Sequence, residues 1–487
     1  MIRFVSNKGG GQSVDFETAI LDGFAVDGGL YVPTELPKIS LEELTKWKDY
    51  TYTEVAYEIL SRFIDESSIS EKELKQLLAE SFSTFYHKDL IPNYALKSLP
   101  NFYIQELFHG PTLSFKDVAM GFIVNLFNFF LKRRGEKMSV IVATTGDTGP
   151  AAAHATIGKE QLNTWVLYPK ELITEEQERQ MTTIVASNVF AVGVSNCPDG
   201  ADDLDVLIAE LFADKNFKKE LNLSSVNSIN WGRVMMQTVH YFYGYLQTVD
   251  RVGAPLNFAV PSGAFGNLCA GSLAKMMGLP VGKFIIANNE NACLYRIFTE
   301  GVFLKKDIIA CQASAIDILI PYNFWRYLYF AIGQQPDKIK AWIAEFEKTG
   351  KVIFDKATFE AYSVGYIATT ISDEQTLTTI KTVFENENYL LDPHAAVAVT
   401  AAQNKATELL PNTKILCLAT AHPSKFPESI KLALGLTKDA LPIDAKHKSI
   451  EAAKLHAQRI YSCDFKNMKA AIRRSMKASV RNELKLK

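Results

Sequence analysis

The sequence predicts an α/β protein with two doubly wound parallel sheets and an N-terminal helical extension. Its 487 residues exceed the roughly 100 to 200 residues of one typical domain, and 47% of them are hydrophobic. From about residue 100, short apolar strands alternate with helices, which is typical of a parallel sheet covered on both faces. Two clusters of such units flank a long predicted helix, Trp231–Thr248. Together these observations indicate two α/β units.

The individual elements follow from apolar runs and helical periodicity. Apolar runs predict strands at 101–108, 138–145, 164–170, 188–194, 256–263, 283–289 and 414–420. Helical patterns occupy 41–64, 70–86, 118–134, 150–157, 174–186, 231–248 and 267–277. We therefore divide the chain into an extension (1–99), a first α/β domain (100–250) and a second α/β domain with C-terminal helices (251–487).

Neither charge nor apolar patterning points to nucleic acid or a membrane. The net charge is −2, and the longest apolar run, Val118–Leu131, is interrupted by Asn125 and Asn128. That run is also shorter than the roughly 20 residues that span a bilayer. The N-terminus lacks the apolar core of a signal peptide. The six cysteines show no CxxC pair or zinc spacing, so we expect reduced thiols, no metal and a cytoplasmic protein.

Ligands of parallel sheets bind at the carboxyl ends of the strands, so the residues after each strand are the candidates for a site. After the strand at 101–108, Ser114-Phe-Lys-Asp117 fits a capping box and places Lys116 in the first turn of a helix. The helix dipole there disfavours a cation and lowers the lysine pKa. A neutral amine suits Schiff-base chemistry. The alternative is a solvated lysine at a helix start.

The segment VPSGAFGN (260–267) also follows an apolar strand and opens a helix. Gly263 and Gly266 allow close approach of the backbone, and the N–H groups up to Asn267 form an anion site with the helix N-terminus. The pattern is neither a P-loop nor the Rossmann GxGxxG. A tight strand-to-helix turn is the alternative.

Two further strand ends carry polar groups. The hydroxyls and N–H groups of Thr144-Thr145-Gly-Asp147-Thr148-Gly149 are suited to a substrate carboxylate, although Asp147 would repel it and could instead cap the helix or face an acidic proton. Thr420 offers a neutral hydroxyl, which can hydrogen-bond an unprotonated pyridine nitrogen. Ordinary capped turns are the alternative at both places.

Taken together, these loops resemble the threonine synthase family, within the tryptophan-synthase-β-like, fold-type II enzymes that use pyridoxal 5'-phosphate. The similarity spans about residues 3 to 430 and is closest to the longer branch with an N-terminal extension. It is carried, in the family's order, by FETAILDGFAVDGGLYVPTELP (16–37), FHGPTLSFKD (108–117), TTGDTGPAA, SINWGRV (228–234), PSGAFGN, DPHAAVA (392–398) and ATAHPSKFPE (419–428).

The resemblance implies a role for each loop, with the cofactor between the two sheets. Lys116 carries the cofactor as a Schiff base, and Thr420 meets its pyridine nitrogen. The cofactor phosphate is held by the loop of Gly263, Ala264, Phe265, Gly266 and Asn267. Ala264 departs from the GNFGN that is common in the family, which removes a side-chain contact but keeps the backbone donor.

The resemblance also implies a reaction, the conversion of O-phosphohomoserine and water to threonine and phosphate as the last step of threonine biosynthesis. Lys116 is then the mobile base. The substrate phosphate needs its own pocket, for which Arg233 is the first candidate, with Ser228 and Asn230 beside it. Lys425 and His109 are further candidates. His394 is expected to be structural.

Two other functions stay open. One is a phospho-lyase that releases 2-oxobutyrate from the same substrate, and the other is a cofactor-binding paralogue without turnover. The basic C-terminal tail, Lys469–Lys487, suggests nucleic-acid binding. The near-neutral net charge of the whole chain instead favours a solvated, amphipathic helix there. We expect a small-molecule substrate, no nucleic acid or membrane partner, and a monomer or weak homodimer.

Overall fold

A computed structural model describes residues 2–437 and 440–480. Its strands agree closely with the apolar runs predicted from sequence, with short additional strands at the edges. They are β1 (Phe4–Ser6), β2 (Tyr31–Pro33), β3 (Asn93–Ala95), β4 (Phe102–Glu106), β5 (Met138–Ala143), β6 (Leu162–Pro169), β7 (Val189–Ser195), β8 (Leu223–Ser224), β9 (Leu256–Pro261), β10 (Val281–Asn288), β11 (Val302–Leu304), β12 (Lys351–Ile353), β13 (Tyr366–Thr370), β14 (Ile415–Ala419) and β15 (Tyr461–Asp464).

Helices follow most strands, as a doubly wound fold requires. They are α1 (Phe16–Asp22), α2 (Leu41–Lys46), α3 (Tyr52–Leu60), α4 (Glu71–Phe82), α5 (Lys116–Arg134), α6 (Thr148–Thr156), α7 (Glu175–Thr182), α8 (Ala201–Ala213), α9 (Lys215–Leu221), α10 (Trp231–Thr248), α11 (Gly266–Met277), α12 (Cys293–Glu300), α13 (Asn323–Ala331), α14 (Pro336–Thr349), α15 (Lys356–Ser363), α16 (Asp373–Glu387), α17 (Pro393–Lys405), α18 (Pro427–Leu434), α19 (Lys448–Lys454) and α20 (Met468–Val480). Short 3₁₀ turns include Trp47–Asp49, Ser314–Ile316 and Pro423–Lys425.

The N-terminal extension is helical, but its first predicted helix is divided. The single helix predicted at 41–64 is wrong, because α2 ends at Lys46 and α3 begins at Tyr52. The physical reason is Thr51, whose hydroxyl accepts the N–H of Glu54 while the Glu54 carboxylate accepts the N–H of Thr51. This capping box starts a new helix. The extension then packs through α3 on α10 and through α4 on α5.

Two sheets form the α/β body, which confirms the predicted fold class. One has the strand order β13-β10-β9-β14-β4-β3 and is parallel except for β3, which is antiparallel to β4. The other, with the order β15-β7-β6-β5-β8, is parallel throughout. Central strands such as β5 and β9 are buried along their whole length, as expected where helices cover both faces.

Two strands pair outside the segment to which the sequence assigned them. β4 lies in the predicted 100–250 domain but pairs with β14 of the six-stranded sheet, and β15 lies in the predicted 251–487 domain but pairs with β7. Chain order does not decide which sheet a strand joins, because helices such as α5 carry the chain from one sheet to the other. The loop that carries Lys116 therefore leaves the six-stranded sheet, not the sheet of β5.

Helix α10 is the element predicted to separate the two units, and it is central to the core. All of its residues except Gln247 are buried. It packs against α3, α5 and α11, so it touches the extension as well as the helices that follow β4 and β9. The start of α10 thereby comes close to the carboxyl ends of strands from both sheets.

The C-terminal helix α20 is amphipathic, as predicted for this part of the basic tail. Ile472 and Met476 are buried against the five-stranded sheet's helices. Its cations form ion pairs with acidic residues of α8 and α9 and the residue between them: Lys469–Glu210, Arg473–Asp214 and Lys477–Glu220. These basic groups are thus partly neutralised within the chain. Residues 481–487 of the tail lie outside the described residues.

Across residues 2–437 and 440–480, none of the helices combines the length and the apolar character needed to cross a membrane.

Candidate active site

Loops from both sheets converge on one cavity. The loops after β4, β9 and β14 approach it from the six-stranded sheet, and the loop after β5 approaches it from the other. Most residues that the sequence singled out line this cavity, namely Lys116, Thr144, Thr145, Thr148, Ser228, Arg233, Gly263, Ala264, Phe265, Gly266, Asn267 and Thr420. Motifs far apart in sequence therefore form one site.

Lys116 is the first residue of α5, but the predicted capping box is wrong. Only its backbone half is present, as a long 3.5 Å hydrogen bond from the Ser114 N–H to Asp117 Oδ2, while the Ser114 hydroxyl caps nothing and has no partner among the residues that the structure describes. The Asp117 carboxylate instead accepts hydrogen bonds from the Thr112 N–H at 2.9 Å and the Thr112 hydroxyl at 2.7 Å. Asp117 thus fastens the loop before the helix, and this loop fixes where Lys116 enters the cavity.

The Lys116 amine lies in a largely buried and electrostatically mixed position. Its side chain is 12% exposed, and Nζ lies 3.5 Å from Asp147 Oδ2 and 4.3 Å from the centre of the Phe115 ring. Burial, and then the nearby Lys425 and Arg233 cations, lower the pKa of Lys116 to about 8 against the opposing effect of Asp147. The direction agrees with the prediction, although burial contributes most. A usable fraction of neutral amine therefore exists near neutral pH.

Asp147 does not cap α6, although it stands at the N-cap position. Its Oδ1 lies 2.7 Å from Lys425 Nζ and accepts the amide N–H of Gln177 at 3.0 Å, while Oδ2 faces Lys116. Burial acts to raise the pKa of Asp147, but the Lys425 and Lys116 ammonium groups hold it well below its usual range. Asp147 is therefore an ionised carboxylate between two lysines.

The remainder of this loop is shaped by Thr144. The Thr144 hydroxyl accepts the backbone N–H groups of Gly146 and Gly149, both at 3.0 Å. The Thr145 hydroxyl donates to the Ala315 carbonyl at 3.2 Å, which ties the loop to the wall on the other side of the cavity. The Thr144 side chain is thus occupied in holding the turn, while the loop as a whole faces the cavity.

The loop after β9 has the form of an anion site at the start of α11. Phe265 adopts a left-handed conformation with φ 64°, which turns the chain into the helix. Asn267 Oδ1 contacts the Tyr241 hydroxyl and His240 Nε2, both at 2.9 Å. Burial lowers the pKa of His240 to about 3, so that ring is neutral. Asn267 Nδ2 and Ser262 Oγ are left buried with no partner in the described part of the chain.

The glycines of this loop are required by close packing. A Cβ added to Gly263 would lie 2.9 Å from the Ile316 carbonyl oxygen, and one added to Gly266 would lie 3.0 Å from the Ser228 Cβ. Both distances are too short for a side chain to be accepted without movement. Ala264, the position that departs from the family pattern, also lines the cavity.

Thr420 is 95% buried at the end of β14 and lines the cavity. Its carbonyl oxygen accepts the Phe115 N–H at 2.8 Å. The residue before Lys116 is therefore attached to the end of the adjacent strand. This contact places the Thr420 hydroxyl and the Lys116 amine on the same cavity.

The SINWGRV segment divides into residues that face the cavity and one that does not. Arg233 is buried on the wall, where it donates to the Val226 carbonyl at 2.9 Å and leaves Nε without a partner within the described residues. Ser228 also lines the cavity. Asn230 caps α10 instead, and its amide donates to the Ile20 and Ser225 carbonyls. With its amide donors used in this way, Asn230 does not fit a substrate-binding role.

The two histidines considered in the sequence analysis, His109 and His394, are both bound to other groups of the protein. His109 Nε2 lies 2.7 Å from Glu106 Oε2, and His109 does not line the cavity. His394 lines it, but Nε2 accepts the Ala315 N–H at 3.0 Å and Nδ1 lies 2.7 Å from the buried Asp392 carboxylate. Both ring nitrogens of His394 are therefore engaged, as expected of a structural histidine.

Several cavity residues escaped sequence reasoning. They are Asn227, Gln237, the segment 315–318 and Asp205, whose pKa burial raises to about 7. Asn227 directly precedes the SINWGRV motif that the sequence did single out, so this motif was the available signal. Asp205 and Gln237 lie within helices and carry no motif. Only the packing of their helices brings them to the cavity.

Pyridoxal 5'-phosphate, the cofactor expected from the sequence, fits this cavity. The Lys116 amine can link to its aldehyde. The unpartnered donors of Asn267 and Ser262, together with the N-terminus of α11, match the needs of a phosphate group. The Thr420 hydroxyl offers a neutral partner for the ring nitrogen.

Comparisons with known proteins agree with this fit. Residues 90–421 match the family model described as pyridoxal-phosphate dependent enzyme, residues 3–82 the model for the threonine synthase N terminus, and residues 395–472 the model for the threonine synthase C-terminal region. The fold and the site therefore define a fold-type II enzyme that depends on pyridoxal phosphate.

The relatives narrow this class. Threonine synthase of Schizosaccharomyces pombe is 36% identical over 90% of this chain and 90% of its own length. Threonine synthase-like 2 of Xenopus laevis is 36% identical over 94% of this chain and 95% of its own length. The PLP-bound threonine synthase of Brucella melitensis has a TM-score of 0.88 and 32% identity over 99% of this chain and 100% of that chain. The chain belongs to the threonine synthase family, and it is a pyridoxal-phosphate-dependent lyase.

Proposed function

We propose that this enzyme converts O-phosphohomoserine and water into threonine and phosphate, the last step of threonine biosynthesis. The observation that carries this proposal is a second anion position in the cavity. One position is the loop at the start of α11, suited to the cofactor phosphate. The other is Arg233, a buried guanidinium whose Nε has no partner within the described residues. A substrate that brings its own phosphate would occupy the second position while the cofactor phosphate occupies the first.

The residues of this chain divide the work in the proposed reaction. When bound, pyridoxal phosphate supplies an electron sink for charge that develops at the substrate Cα. The loop 263–267 would bind the cofactor phosphate. The Thr420 hydroxyl would hydrogen-bond the ring nitrogen, and Lys116 would bind the aldehyde carbon. The loop of Thr144, Thr145 and Thr148 binds the substrate carboxylate. Arg233, with Ser228, binds the phosphate that leaves from Cγ.

Lys116 is the proposed mobile base. With cofactor and substrate bound, the Lys116 amine would be free to remove protons from the substrate Cα and Cβ and, as phosphate leaves from Cγ, to return one at Cγ. Water would then add its hydroxyl at Cβ, and Lys116 would return a proton to Cα. A pKa near 8 suits this exchange, because the amine can both accept and release a proton near neutral pH. Asp147 faces the amine and stabilises its protonated form.

A phospho-lyase that releases 2-oxobutyrate from the same substrate is the second candidate. Relatives named threonine synthase and threonine synthase-like 2 have the same 36% identity to this chain, so the product has to be measured. The purified enzyme with its cofactor is incubated with O-phosphohomoserine, and threonine, 2-oxobutyrate and phosphate are quantified together. Threonine equal to phosphate supports the proposal. Keto acid equal to phosphate supports the lyase, and release of neither supports a paralogue without turnover.

Arg233→Met tests the second anion position in the same assay. We expect KM for O-phosphohomoserine to rise by about 10- to 100-fold, because a charge-assisted contact to the substrate phosphate is lost. Cofactor content, measured by absorbance, stays at the wild-type level. Arg62→Met is the control, since Arg62 pairs with Glu43 in the extension, away from the cavity. An unchanged KM in a well-folded Arg233→Met variant would remove Arg233 from the site.

We further propose that the enzyme works in the cytoplasm. All six cysteines are free thiols, and four of them are buried, which suits a reducing compartment. Cell fractionation with an antibody to the chain tests the location.

A further inference from the structure

Lys425 and Asp147 form a buried ion pair that joins the two sheets beside Lys116. Asp147 follows β5 of the five-stranded sheet, and Lys425 follows β14 of the six-stranded sheet. Their charged atoms are 2.7 Å apart, and the side chains are 2% and 0% exposed. A lysine without solvent contact is unusual unless it is paired, so this pair has a definite place in the fold.

Each charged group of the pair is held by further hydrogen bonds. Lys425 Nζ also donates to the Thr112 carbonyl at 3.1 Å, in the loop that leads to Lys116. The Lys425 carbonyl accepts the Thr174 hydroxyl at 2.9 Å, and Asp147 Oδ1 accepts the Gln177 amide at 3.0 Å. Oδ1 is therefore committed to Lys425 and Gln177. Only Oδ2 remains for Lys116, at 3.5 Å.

We propose that Lys425 is a positioning residue, which competes with Lys116 for the Asp147 carboxylate and so limits how tightly Lys116 holds its proton. This role deepens the proposed function, since it rests on Lys116 being the mobile base. Without Lys425, Oδ1 of Asp147 would keep only the Gln177 amide, and the carboxylate charge would pair with Lys116 alone, so the amine would stay protonated. Without Asp147, Lys116 would face cations alone.

The charges around Lys116 determine the sign of each expected change. Asp147 favours its protonated form, while Lys425 and Arg233 disfavour it. His394 is a further titratable neighbour of Asp147. Removing the Lys425 charge should therefore raise the Lys116 pKa, and neutralising Asp147 should lower it. Opposite shifts of the Lys116 pKa in the two variants distinguish this positioning role from an ion pair that only holds the loops together.

The first test uses the full-length protein freed of its cofactor. The rate of Lys116 acetylation by acetic anhydride is followed by peptide mass spectrometry as a function of pH, and its midpoint reports the Lys116 pKa. We expect the midpoint to rise by about one pH unit in Lys425→Met and to fall by about one unit in Asp147→Asn. Shifts of the same sign, or no shift in a folded variant, would overturn the proposal.

The second test uses the enzyme with its cofactor and O-phosphohomoserine. Because the base must be neutral, kcat rises with pH through the Lys116 pKa. The acidic limb of kcat should therefore move to higher pH in Lys425→Met, with KM within about 2-fold of wild type. If the wild type shows no turnover, the proposed function fails while the acetylation midpoint still tests the pair.

Asp147→Asn leaves a buried cation without its partner and could fail to fold. The double variant Asp147→Asn/Lys425→Met removes both charges and keeps the test possible. We expect it to show a lower acetylation midpoint than Lys425→Met, because Lys116 then has no carboxylate to pair with. Lys431→Met, which breaks an ion pair with the exposed Glu428 in α18, is the matched control and should leave the midpoint unchanged. A double variant with the midpoint of Lys425→Met would show that Lys425 does not act through Asp147.

Discussion

Lys116 shows how a single residue acquires its chemistry from its surroundings. Its place at the start of α5 follows from local sequence, but the lowered pKa owes most to burial and then to two cations contributed by distant segments. Neutral lysine is a nucleophile and a base, whereas the same residue on the surface would be almost fully protonated at neutral pH. Position along the helix alone would not have produced this effect.

Lys116→Ala should abolish both cofactor attachment and turnover. We expect a loss of about 10³-fold or more in kcat, because the nucleophile and the mobile base disappear together. After borohydride treatment, mass spectrometry should find the cofactor bound covalently to the wild type and not to the variant. Lys132→Ala removes an exposed lysine from the last turn of the same helix and should retain both properties. Normal turnover in the Lys116 variant would refute the assignment.

At the scale of elements, the strand-to-helix loops combine a turn with a binding surface. The loop before α11 needs a left-handed residue at Phe265 and glycines at 263 and 266. The Phe265 ring contributes to an aromatic cluster with Phe298 and Phe324, and the residue also lines the cavity. The same residues therefore anchor the helix and shape the anion site.

Gly263→Ala should weaken cofactor binding and lower stability. The added methyl group meets the Ile316 carbonyl at 2.9 Å, so the loop or the facing 3₁₀ turn must move, at a cost of about 1–3 kcal/mol. A cofactor titration followed by fluorescence should show an affinity at least about 10-fold lower. Gly435→Ala is the control, because its Cβ meets nothing within 4 Å and the left-handed φ of 64° alone costs about 1 kcal/mol. Equal cofactor affinity in both variants would contradict this account.

At the scale of the whole molecule, the cavity exists because the two sheets are held against each other. Helix α8 packs against β5 and β6 of the five-stranded sheet. Its Asp202 carboxylate accepts a hydrogen bond from the Leu319 N–H at 2.8 Å. Leu319 directly follows the segment 315–318 of the cavity wall. The other Asp202 oxygen has no partner within the described residues, and burial raises the pKa of this carboxyl to about 8. This contact between the two halves is therefore sensitive to pH.

Asp202→Asn should stabilise the protein at alkaline pH. The folded pKa lies above the unfolded value of 3.8, so the folded state retains a proton that the unfolded state loses, and wild-type stability falls between about pH 4 and pH 8. Asparagine keeps the acceptor for Leu319 and does not titrate. We expect the variant's Tm to exceed that of the wild type by about 2 °C or more at pH 9, with the difference shrinking towards pH 4.

Asp250→Asn provides a contrast for this measurement. Asp250 is an exposed carboxylate whose pKa is lowered by its hydrogen bond to Lys414. Its replacement should cause a small loss of stability that appears above pH 4, the opposite sign to Asp202. A Tm difference for Asp202→Asn that does not depend on pH would contradict the assigned protonation.

The sequence by itself determined the elements and the centre of the site. Strands β4, β5, β9 and β14 and helix α10 were found within a few residues of their bounds, because apolar periodicity is a local property. Lys116 and the loop 263–267 were found for the same reason, since strand ends and turn residues are read from adjacent positions. The family followed from the order of these motifs along the chain.

Only the tertiary structure decided which groups meet. It paired β4 with the six-stranded sheet and added β15, which was not predicted as a strand, to the five-stranded sheet. It directed Asn230 to a helix cap and used Asp117 to hold the loop before α5. It also joined Asp147 to Lys425 and brought Asp205 to the cavity. Contacts between residues so distant in sequence depend on how the two sheets pack, and the burial that shifts the pKa of Lys116 arises only when that packing is complete.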